Sequence, residues 1–272
     1  METKALVLDI DGTLTNSKKE ISEGTKKGIR EVLKRGHTVI LASGRPTAGM
    51  QLYARELELE SYGGFLLSFN GAKIINCKTG EVVFQKTLPS SAISQLFNFA
   101  EKRDCGIVTY LGDSIISGRR MDSYLELESR MNGMPIKEVE NFIEYAEYDM
   151  NKCLMTASPE KAEQLVIELN NKFSDCLSIY RSEPFFIEIM PKNIDKATSL
   201  ERMLSTIGLT SKDIICCGDG YNDMTMIEYA GIGVAMGNAQ PALKEIADYI
   251  TDTNDQDGII KVIDKFILNE LS

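Results

Sequence analysis

The sequence predicts an α/β protein in which a parallel sheet is interrupted by an inserted α+β domain. Residues 4–76 and 196–268 alternate short apolar runs with amphipathic segments, a pattern typical of a parallel sheet covered by helices. Residues 81–190 instead contain strands joined by short turns and two helices. The length of 272 residues suits two domains, because one domain usually has about 100–200 residues.

The first stretch predicts strands and helices in strict alternation. Ile29, Val32 and Leu33 have the spacing of an apolar helix face. Gly36 would end that helix, and Pro46 suits the first turn of the next one, where its missing N–H needs no partner. The predicted elements are a strand at 4–11, a helix at 22–36, a strand at 37–44, a helix at 46–59, and two strands around an Asn70–Gly71 turn within 64–76.

The middle stretch loses this alternation. GIVTYLGDSIISG (106–118) has two β-prone runs on either side of a turn, which predicts a hairpin. The other predicted elements are a strand within 81–88, helices near 91–102 and 162–172, and strands at 177–181 and 185–190. Because short turns join most of the strands, this stretch is predicted to be a separate α+β unit.

The last stretch returns to the α/β pattern. Its predicted elements are helices at 196–208 and 222–231, strands at 213–220 and 232–237, a helix with a strand-like end at 242–250, and a final helix at 258–268. The predicted domains are therefore a core made of 1–82 and 189–272, with an insertion at 83–188.

The composition limits the possible partners and compartment. The net charge of −10 at pH 7 argues against a nucleic-acid or membrane-surface binder, which needs a basic surface. No apolar run reaches about 18 residues, so no membrane span is expected, and no signal peptide is expected because Lys4 and Asp9 interrupt the first apolar run. Without any C-x-x-C pair, we interpret the cysteines as small buried residues in a reducing cytoplasm: Cys77, Cys105, Cys153, Cys176, Cys216 and Cys217.

Several enzyme classes are excluded by missing motifs. His37 is the single histidine, which excludes H-E-x-x-H zinc sites. It precedes a strand, so a surface or edge role is expected. The chain has no G-x-S-x-G and no Walker A motif, which disfavours serine hydrolases and P-loop enzymes. The sequence leaves the oligomeric state open.

The candidate chemistry lies where the predicted strands end, since ligands of open α/β sheets bind outside the carboxyl ends of the strands. If the three strands are neighbours, four carboxylates converge there, and such a cluster needs a cation. Oxygen ligands without nearby His or Cys favour Mg²⁺. The residues at these ends are Asp9 and Asp11; Ser43, Gly44 and Arg45; and Asp219, Asn222 and Asp223.

This set of residues suits phosphoryl transfer. Side chains alternate along a strand, so Asp9 and Asp11 are expected to face the same way. One could attack phosphorus, while the other protonates the leaving alcohol and then activates water. Ser43 and the N–H groups that begin the next helix could hold an anion, and Lys196 could supply a second positive charge.

Two other motif interpretations are weak. D-x-D-G overlaps the calcium-loop pattern, but Gly12 stands at the fourth place instead of the sixth, and a strand precedes it. GIGVAMG (231–237) lacks the glycine spacing of a dinucleotide-binding loop and is better explained as a strand between small residues.

Taken together, four motifs in order resemble the haloacid dehalogenase (HAD)-like phosphatases: DIDGT (9–13), LASGR (41–45), Lys196 and GDGYND (218–223). The order, the spacing and the insertion are similar to the Cof-type branch with its C2B-type cap, as are SFNGAKI (68–74) and NDQDGI (254–259). The resemblance implies a Rossmann-like core with a parallel sheet and an inserted α+β cap.

The resemblance also implies roles for individual residues. Asp9 would form a phosphoaspartyl intermediate, and Asp11 would be the general acid/base with its backbone carbonyl on Mg²⁺. The phosphate would be held by Ser43, Gly44, Lys196 and Asn222. The metal would be bound by Asp9, Asp11 and Asp219, with Asp223 ligating or supporting it. Arg45 could serve either an ion pair or the substrate.

The expected function is Mg²⁺-dependent hydrolysis of small phosphate monoesters, with sugar phosphates as one candidate class and a small phosphorylated metabolite as partner. The cap would select the leaving group, and the charged residues Arg119, Arg181 and Glu183 are candidates without assigned roles. Two alternatives stay open: a phosphomutase or other phosphotransferase, and a non-catalytic phosphate sensor. A sensor has no use for an acid/base at Asp11.

Overall fold

The computed structural model describes residues 4–118 and 121–268. By contacts, the chain divides into two compact units, one made of Met1–Phe84 and Asp195–Ser272 and the other of Gln85–Ile194. The chain therefore divides at 84/85 and 194/195, within six residues of the domain boundaries expected from the sequence at 82/83 and 188/189. The assignment of these units as domains stays a prediction.

The described strands, in chain order, are β1 (Ala5–Leu8), β2 (Thr38–Ala42), β3 (Phe65–Ser68), β4 (Lys73–Asn76), β5 (Val82–Gln85), β6 (Gly106–Leu111), β7 (Ser114–Ser117), β8 (Ile136–Glu138), β9 (Cys153–Thr156), β10 (Leu177–Glu183), β11 (Phe186–Pro191), β12 (Ile214–Gly218), β13 (Ile232–Ala235) and β14 (Tyr249–Ile250).

The described α-helices are α1 (Glu23–Lys34), α2 (Thr47–Glu56), α3 (Leu59–Tyr62), α4 (Ser90–Lys102), α5 (Ser123–Asn132), α6 (Pro159–Phe173), α7 (Lys196–Thr206), α8 (Met224–Tyr229), α9 (Pro241–Ile246) and α10 (Gly258–Ile263). Within the described ranges, none of them has the length and apolar character that crossing a bilayer requires.

An eight-stranded sheet forms the first unit, in the order β14-β13-β12-β1-β2-β3-β4-β5. The strands from β14 to β3 are parallel, and β4 is antiparallel to β3. Strand β1 is apolar and fully buried because the sheet is covered on both faces. The predicted α/β class with a parallel sheet is thus confirmed.

The register aligns the carboxyl ends of the central strands. Leu8, the last residue of β1, pairs with Leu41 of β2 and with Cys217 of β12. Since β1 lies between β2 and β12, the residues that follow these three strands share one edge of the sheet.

The second unit is a six-stranded sheet in the order β10-β11-β9-β6-β7-β8. Its strand pairs are antiparallel except β7 and β8. Buried residues of α4 and α6, such as Leu96 and Leu169, form one core with Ile107, Met155 and Ile187 of the sheet. The predicted hairpin is β6–β7. Helix α5 was not predicted. Asp122 caps it, because the carboxylate accepts a hydrogen bond from the backbone N–H of Leu125.

Several local expectations are wrong. Pro46 lies at the N-cap of α2, one residue before the helix begins, and not in its first turn as predicted. His37 is buried, with 6% exposure, and its Nδ1 accepts a hydrogen bond from the backbone N–H of Lys4 at 3.1 Å. It therefore joins the starts of two neighbouring strands instead of lying on the surface. All six cysteines are free, but Cys176 is exposed.

Candidate active site

Three residues predicted for the site follow directly on the three central strands. Asp9 comes after β1, Ser43 after β2 and Asp219 after β12. The sheet order, with β1 between the other two, brings them to the same edge. Lys196 reaches this edge from α7 as its first residue, and Asp195 caps that helix by accepting from the N–H of Thr198 at 2.9 Å.

Asp9, Asp219 and Asp223 form an acidic cluster. One carboxylate oxygen of each residue lies within 4.8 Å of the corresponding oxygens of the other two. Asp9 is 5% exposed and Asp223 is fully buried. Such a group of hard oxygen atoms could hold a divalent cation. The carboxylate of Asp11 is not part of this cluster.

Lys196 neutralises part of the cluster. Its Nζ donates to Oδ1 of Asp9 at 2.6 Å and to Oδ1 of Asp223 at 2.5 Å, and its side chain is fully buried. Burial alone would lower the pKa of Lys196, but Asp223 and Asp9 raise it above the usual range. The lysine is therefore held as a cation.

The carboxylates themselves are under electrostatic strain. Burial raises the pKa of Asp9 well above its usual range, and repulsion from Asp223 adds to the rise, while Lys196 opposes it. Burial likewise raises the pKa of Asp219 to about 6, with Asp223 adding to the rise. One lysine does not balance three carboxylates, so a further cation would be stabilised among them.

The carboxylate of Asp223 also holds the backbone of the turn beside it. Besides Lys196, it accepts hydrogen bonds at Oδ2 from the N–H groups of Asp219 and Gly220, both at 2.9 Å. It thus fixes the turn that carries Asp219 and at the same time orients the lysine.

Asp9 and Asp11 do not lie on the strand whose alternation was expected to orient them. β1 ends at Leu8, and the chain then turns tightly: the N–H of Leu14 donates to the carbonyl of Asp9, and the N–H of Thr15 to that of Ile10. In this turn the period-2 alternation of a strand no longer applies.

The carboxylate of Asp11 instead binds two cations. Arg45 contacts it with Nε at 2.6 Å and Nη2 at 2.8 Å, and Nζ of Lys19 lies 2.7 Å from Oδ1. Burial would raise the pKa of Asp11, but Arg45 and then Lys19 outweigh it and lower the pKa to about 2. Arg45 therefore forms an ion pair here. The role of Lys19 was missed because it follows no predicted strand end.

Gly12 and Thr13 fit the turn to the acidic cluster. Gly12 has φ +83°, and a Cβ there would overlap the carboxylate of Asp219. The hydroxyl of Thr13 donates to Oδ1 of Asp219 at 2.8 Å. Only glycine leaves room for the Asp219 carboxylate in this backbone conformation.

Three of the predicted phosphate-binding residues, Ser43, Gly44 and Asn222, lie near the turn that follows β3. The hydroxyl of Ser43 accepts from the N–H of Arg45 at 3.2 Å. Nδ2 of Asn222, an exposed side chain, donates to Oδ1 of Asn70 at 3.3 Å, and Gly44 packs against the same carboxamide. Asn70 was not predicted as a site residue, although the turn that holds it follows β3 at the same edge of the sheet.

Of the cap candidates, Arg181 and Glu183 are exposed residues of β10. Arg119 lies outside the described residues.

Comparison with known proteins agrees with this fold. The family model of the haloacid dehalogenase-like hydrolases matches residues 6–263. The 5-amino-6-(5-phospho-D-ribitylamino)uracil phosphatase YcsE of Bacillus subtilis (strain 168) is 30% identical over 268 residues, which cover 98% of this chain and 97% of that protein.

Two solved structures are also similar. A haloacid dehalogenase-like hydrolase from Bacteroides thetaiotaomicron has a TM-score of 0.95 and 41% identity, over 98% of this chain and 100% of that one. The HAD subclass IIB sugar phosphatase BT4131 has a TM-score of 0.82 and 25% identity, over 97% and 99%. The chain belongs to the haloacid dehalogenase-like hydrolases and is an enzyme of that family, so the predicted family membership is confirmed.

Proposed function

We propose that the protein is a Mg²⁺-dependent phosphatase that hydrolyses small phosphate monoesters through a phosphoaspartyl intermediate at Asp9. The observation that carries the proposal is that two aspartates two positions apart have different surroundings. Asp9 lies against Lys196 within the acidic cluster, and Asp11 lies outside it, bound to Arg45.

The donor set fits Mg²⁺. Asp9 and Asp219 supply carboxylate oxygens whose protonation is favoured by burial, a strain that a divalent cation would relieve. We assign Asp9, Asp219 and the backbone carbonyl of Asp11 as ligands, with Asp223 as a further or supporting ligand. When bound, Mg²⁺ would offset the charge between the carboxylates and the phosphate.

The protein's own residues would carry the two half-reactions. A carboxylate oxygen of Asp9 bonds to phosphorus as the bond to the leaving oxygen breaks, and Asp11 gives its proton to that oxygen. Asp11 then takes a proton from water, whose oxygen bonds to phosphorus as the bond to Asp9 breaks. Lys196, Ser43, Gly44 and Asn222 would hold the phosphoryl oxygens.

Asp11 must change partners during this cycle. With a pKa of about 2 beside Arg45 and Lys19, its carboxyl is ionised at neutral pH and has no proton to give. The ion pairs of Asp11 with Arg45 and Lys19 therefore have to loosen before Asp11 acts as an acid.

Small phosphorylated metabolites are the proposed substrates, with sugar phosphates as the first class to try. Support comes from the names of relatives, since BT4131 is described as a sugar phosphatase and YcsE as a phosphatase of a phosphoribitylamino-uracil. The six free cysteines fit a reducing compartment, and we propose the cytoplasm.

The test is phosphate release from p-nitrophenyl phosphate and from a panel of sugar phosphates, with Mg²⁺ and with EDTA. Turnover is expected only with Mg²⁺, and Asp9→Asn should abolish it. Unchanged turnover in Asp9→Asn would overturn the mechanism. Isomerised hexose phosphate with little free phosphate would instead indicate a phosphotransferase.

A further inference from the structure

The turn after β3 has an unusual backbone. Phe69 and Asn70 have φ values of 53° and 52°, and Gly71 follows with φ 98°. Among the described residues, no other two neighbouring non-glycine residues both have positive φ. A left-handed residue other than glycine costs roughly 1–2 kcal/mol, and strain of this kind persists where the surrounding structure enforces it, often at functional sites.

The surroundings here are segments of the candidate site. The N–H of Asn70 donates to the carbonyl of Ser43, and the N–H of Phe69 to that of Arg45, each at 2.9 Å. The turn thus holds both ends of the Ser43–Arg45 loop. Gly44, between them, has no side chain, and a Cβ there would lie 3.3 Å from Oδ1 of Asn70.

The same turn contacts the other two motifs. Oδ1 of Asn70 accepts from Nδ2 of Asn222 at 3.3 Å. The carbonyl of Gly71 accepts from the hydroxyl of Ser199 at 3.1 Å, and a Cβ at Gly71 would overlap that hydroxyl. Ser199 lies one helical turn after Lys196 on α7. One short turn therefore joins the three segments that carry Ser43, Lys196 and Asn222.

We propose that Asn70 is a positioning residue that holds the carboxamide of Asn222 in place for the substrate phosphate. The inference rests on the proposed function, and it adds a residue to the phosphate site. Asparagine fits the position because it tolerates the left-handed conformation better than most residues. Its neutral carboxamide accepts from Asn222 without placing a negative charge beside the phosphate.

Asn70→Gly tests the role of the Asn70 carboxamide. In Asn70→Gly the residue still adopts positive φ and keeps the N–H that donates to the carbonyl of Ser43, so the main change in the folded protein is the loss of the carboxamide. Asp104→Gly is the matched control, because Asp104 is an exposed non-glycine residue with φ 46° in the other unit. Thermal melting of each variant shows whether the fold is retained.

The experiment is a double-mutant cycle of Asn70→Gly and Asn222→Ala. It is read by kcat and KM for p-nitrophenyl phosphate and, independently, by calorimetric binding of inorganic phosphate with Mg²⁺. Asn70→Gly should raise KM and the phosphate Kd by about three- to tenfold, the effect expected for the loss of one hydrogen bond, with a smaller change in kcat. In the Asn222→Ala background the same substitution should change both by less than about twofold. Asp104→Gly should match the wild type.

Two results overturn the inference and leave the proposed function standing. One is a wild-type KM and phosphate Kd in Asn70→Gly. The other is a full effect of Asn70→Gly in the absence of the Asn222 carboxamide, which would mean that Asn70 acts through a contact other than Asn222. A wild-type protein that neither binds phosphate nor hydrolyses any ester would overturn the proposed function itself, and the role of Asn70 with it.

Discussion

Nζ of Lys196 lies 2.6 Å from Oδ1 of Asp9, and neither side chain is more than 7% exposed. The same ammonium contacts Asp223, whose side chain is 1% exposed. A charged lysine in such a place is stabilised only by its carboxylate partners, and the carboxylates depend on it equally. The contact therefore contributes to the stability of the fold as well as to the chemistry at Asp9.

Lys196→Met should destabilise the protein strongly. It leaves the buried carboxylates of Asp9 and Asp223 without their cation, and breaking a buried pair in this way costs about 3–5 kcal/mol. Urea unfolding in EDTA measures the loss. Lys78→Met, at an exposed position, is the control and should change the free energy of unfolding by less than about 0.5 kcal/mol. Equal stability of the two variants would contradict the buried ion pair.

Gly12→Ala should damage the metal site more than the fold. Gly12 and Gly80 both have positive φ, +83° and +72°, so alanine strains the backbone similarly at either position. Only at Gly12 would the new Cβ overlap the carboxylate of Asp219; at Gly80 nothing lies within 4 Å. We expect the Mg²⁺ concentration for half-maximal activity to rise at least about tenfold in Gly12→Ala, the effect of losing well-placed ligand geometry. Gly80→Ala should keep the wild-type value.

The sequence predicted the three central strands because period and composition determine them, although each predicted strand runs two or three residues past its observed carboxyl end. Asp9, Ser43 and Asp219 each follow a short apolar run, and the rule that ligands bind at the carboxyl ends of strands brought them together. The orientation of Asp11 could not be predicted in this way. Asp11 lies in the turn after β1, where strand alternation no longer applies, and its carboxylate pairs with Arg45 and Lys19.

Contacts between segments far apart in the chain could not be predicted from the sequence either. Asn70 and Asn222 are 152 positions apart, and the N-G pair at 70–71 signals a turn without saying what the turn contacts. Helix α5 was missed because its apolar pattern is weak: Leu125 and Glu128 are its buried residues, and the hydroxyl of Tyr110 donates to that glutamate at 2.5 Å. A buried carboxylate is read from sequence as an exposed residue.

Stability without metal should fall as the pH rises from about 4 to about 6. The pKa of Asp219 is about 6 in the folded protein and near 3.8 when unfolded, so the folded state binds more protons in this window and loses stability as they leave. Below about pH 4 Asp219 is protonated in both the folded and the unfolded state. Above about pH 6 it is ionised in both states, and the loss of stability caused by burying its charge is complete. Urea unfolding in EDTA across this range measures the slope.

Two comparisons assign that slope to the acidic cluster. Asp219→Asn keeps an acceptor for Thr13 and should flatten the fall between pH 4 and pH 6. Mg²⁺ should raise the free energy of unfolding at pH 7.5 and have little effect at pH 4.5, where protons compete for its ligands. A Mg²⁺ effect that is the same at both pH values would argue against binding by these carboxylates.

Asp9→Asn and Asp11→Asn should fail at different steps. Both changes keep the side-chain shape and remove one charge, so each serves as the control for the other. p-Nitrophenolate leaves without help from an acid, and Asp11→Asn should therefore still transfer phosphate to Asp9. It lacks the base that activates water, however, and general-base catalysis accelerates such a step by about 10²–10⁴-fold.

Rapid mixing of Asp11→Asn with p-nitrophenyl phosphate should give a burst of one p-nitrophenolate per enzyme and then slow turnover. Mass spectrometry of the protein should detect the covalently bound phosphate. Asp9→Asn should give neither burst nor phosphoprotein, because the attacking oxygen is gone. A burst from Asp9→Asn, or a phosphoprotein that forms without Asp9, would assign the nucleophile to another residue.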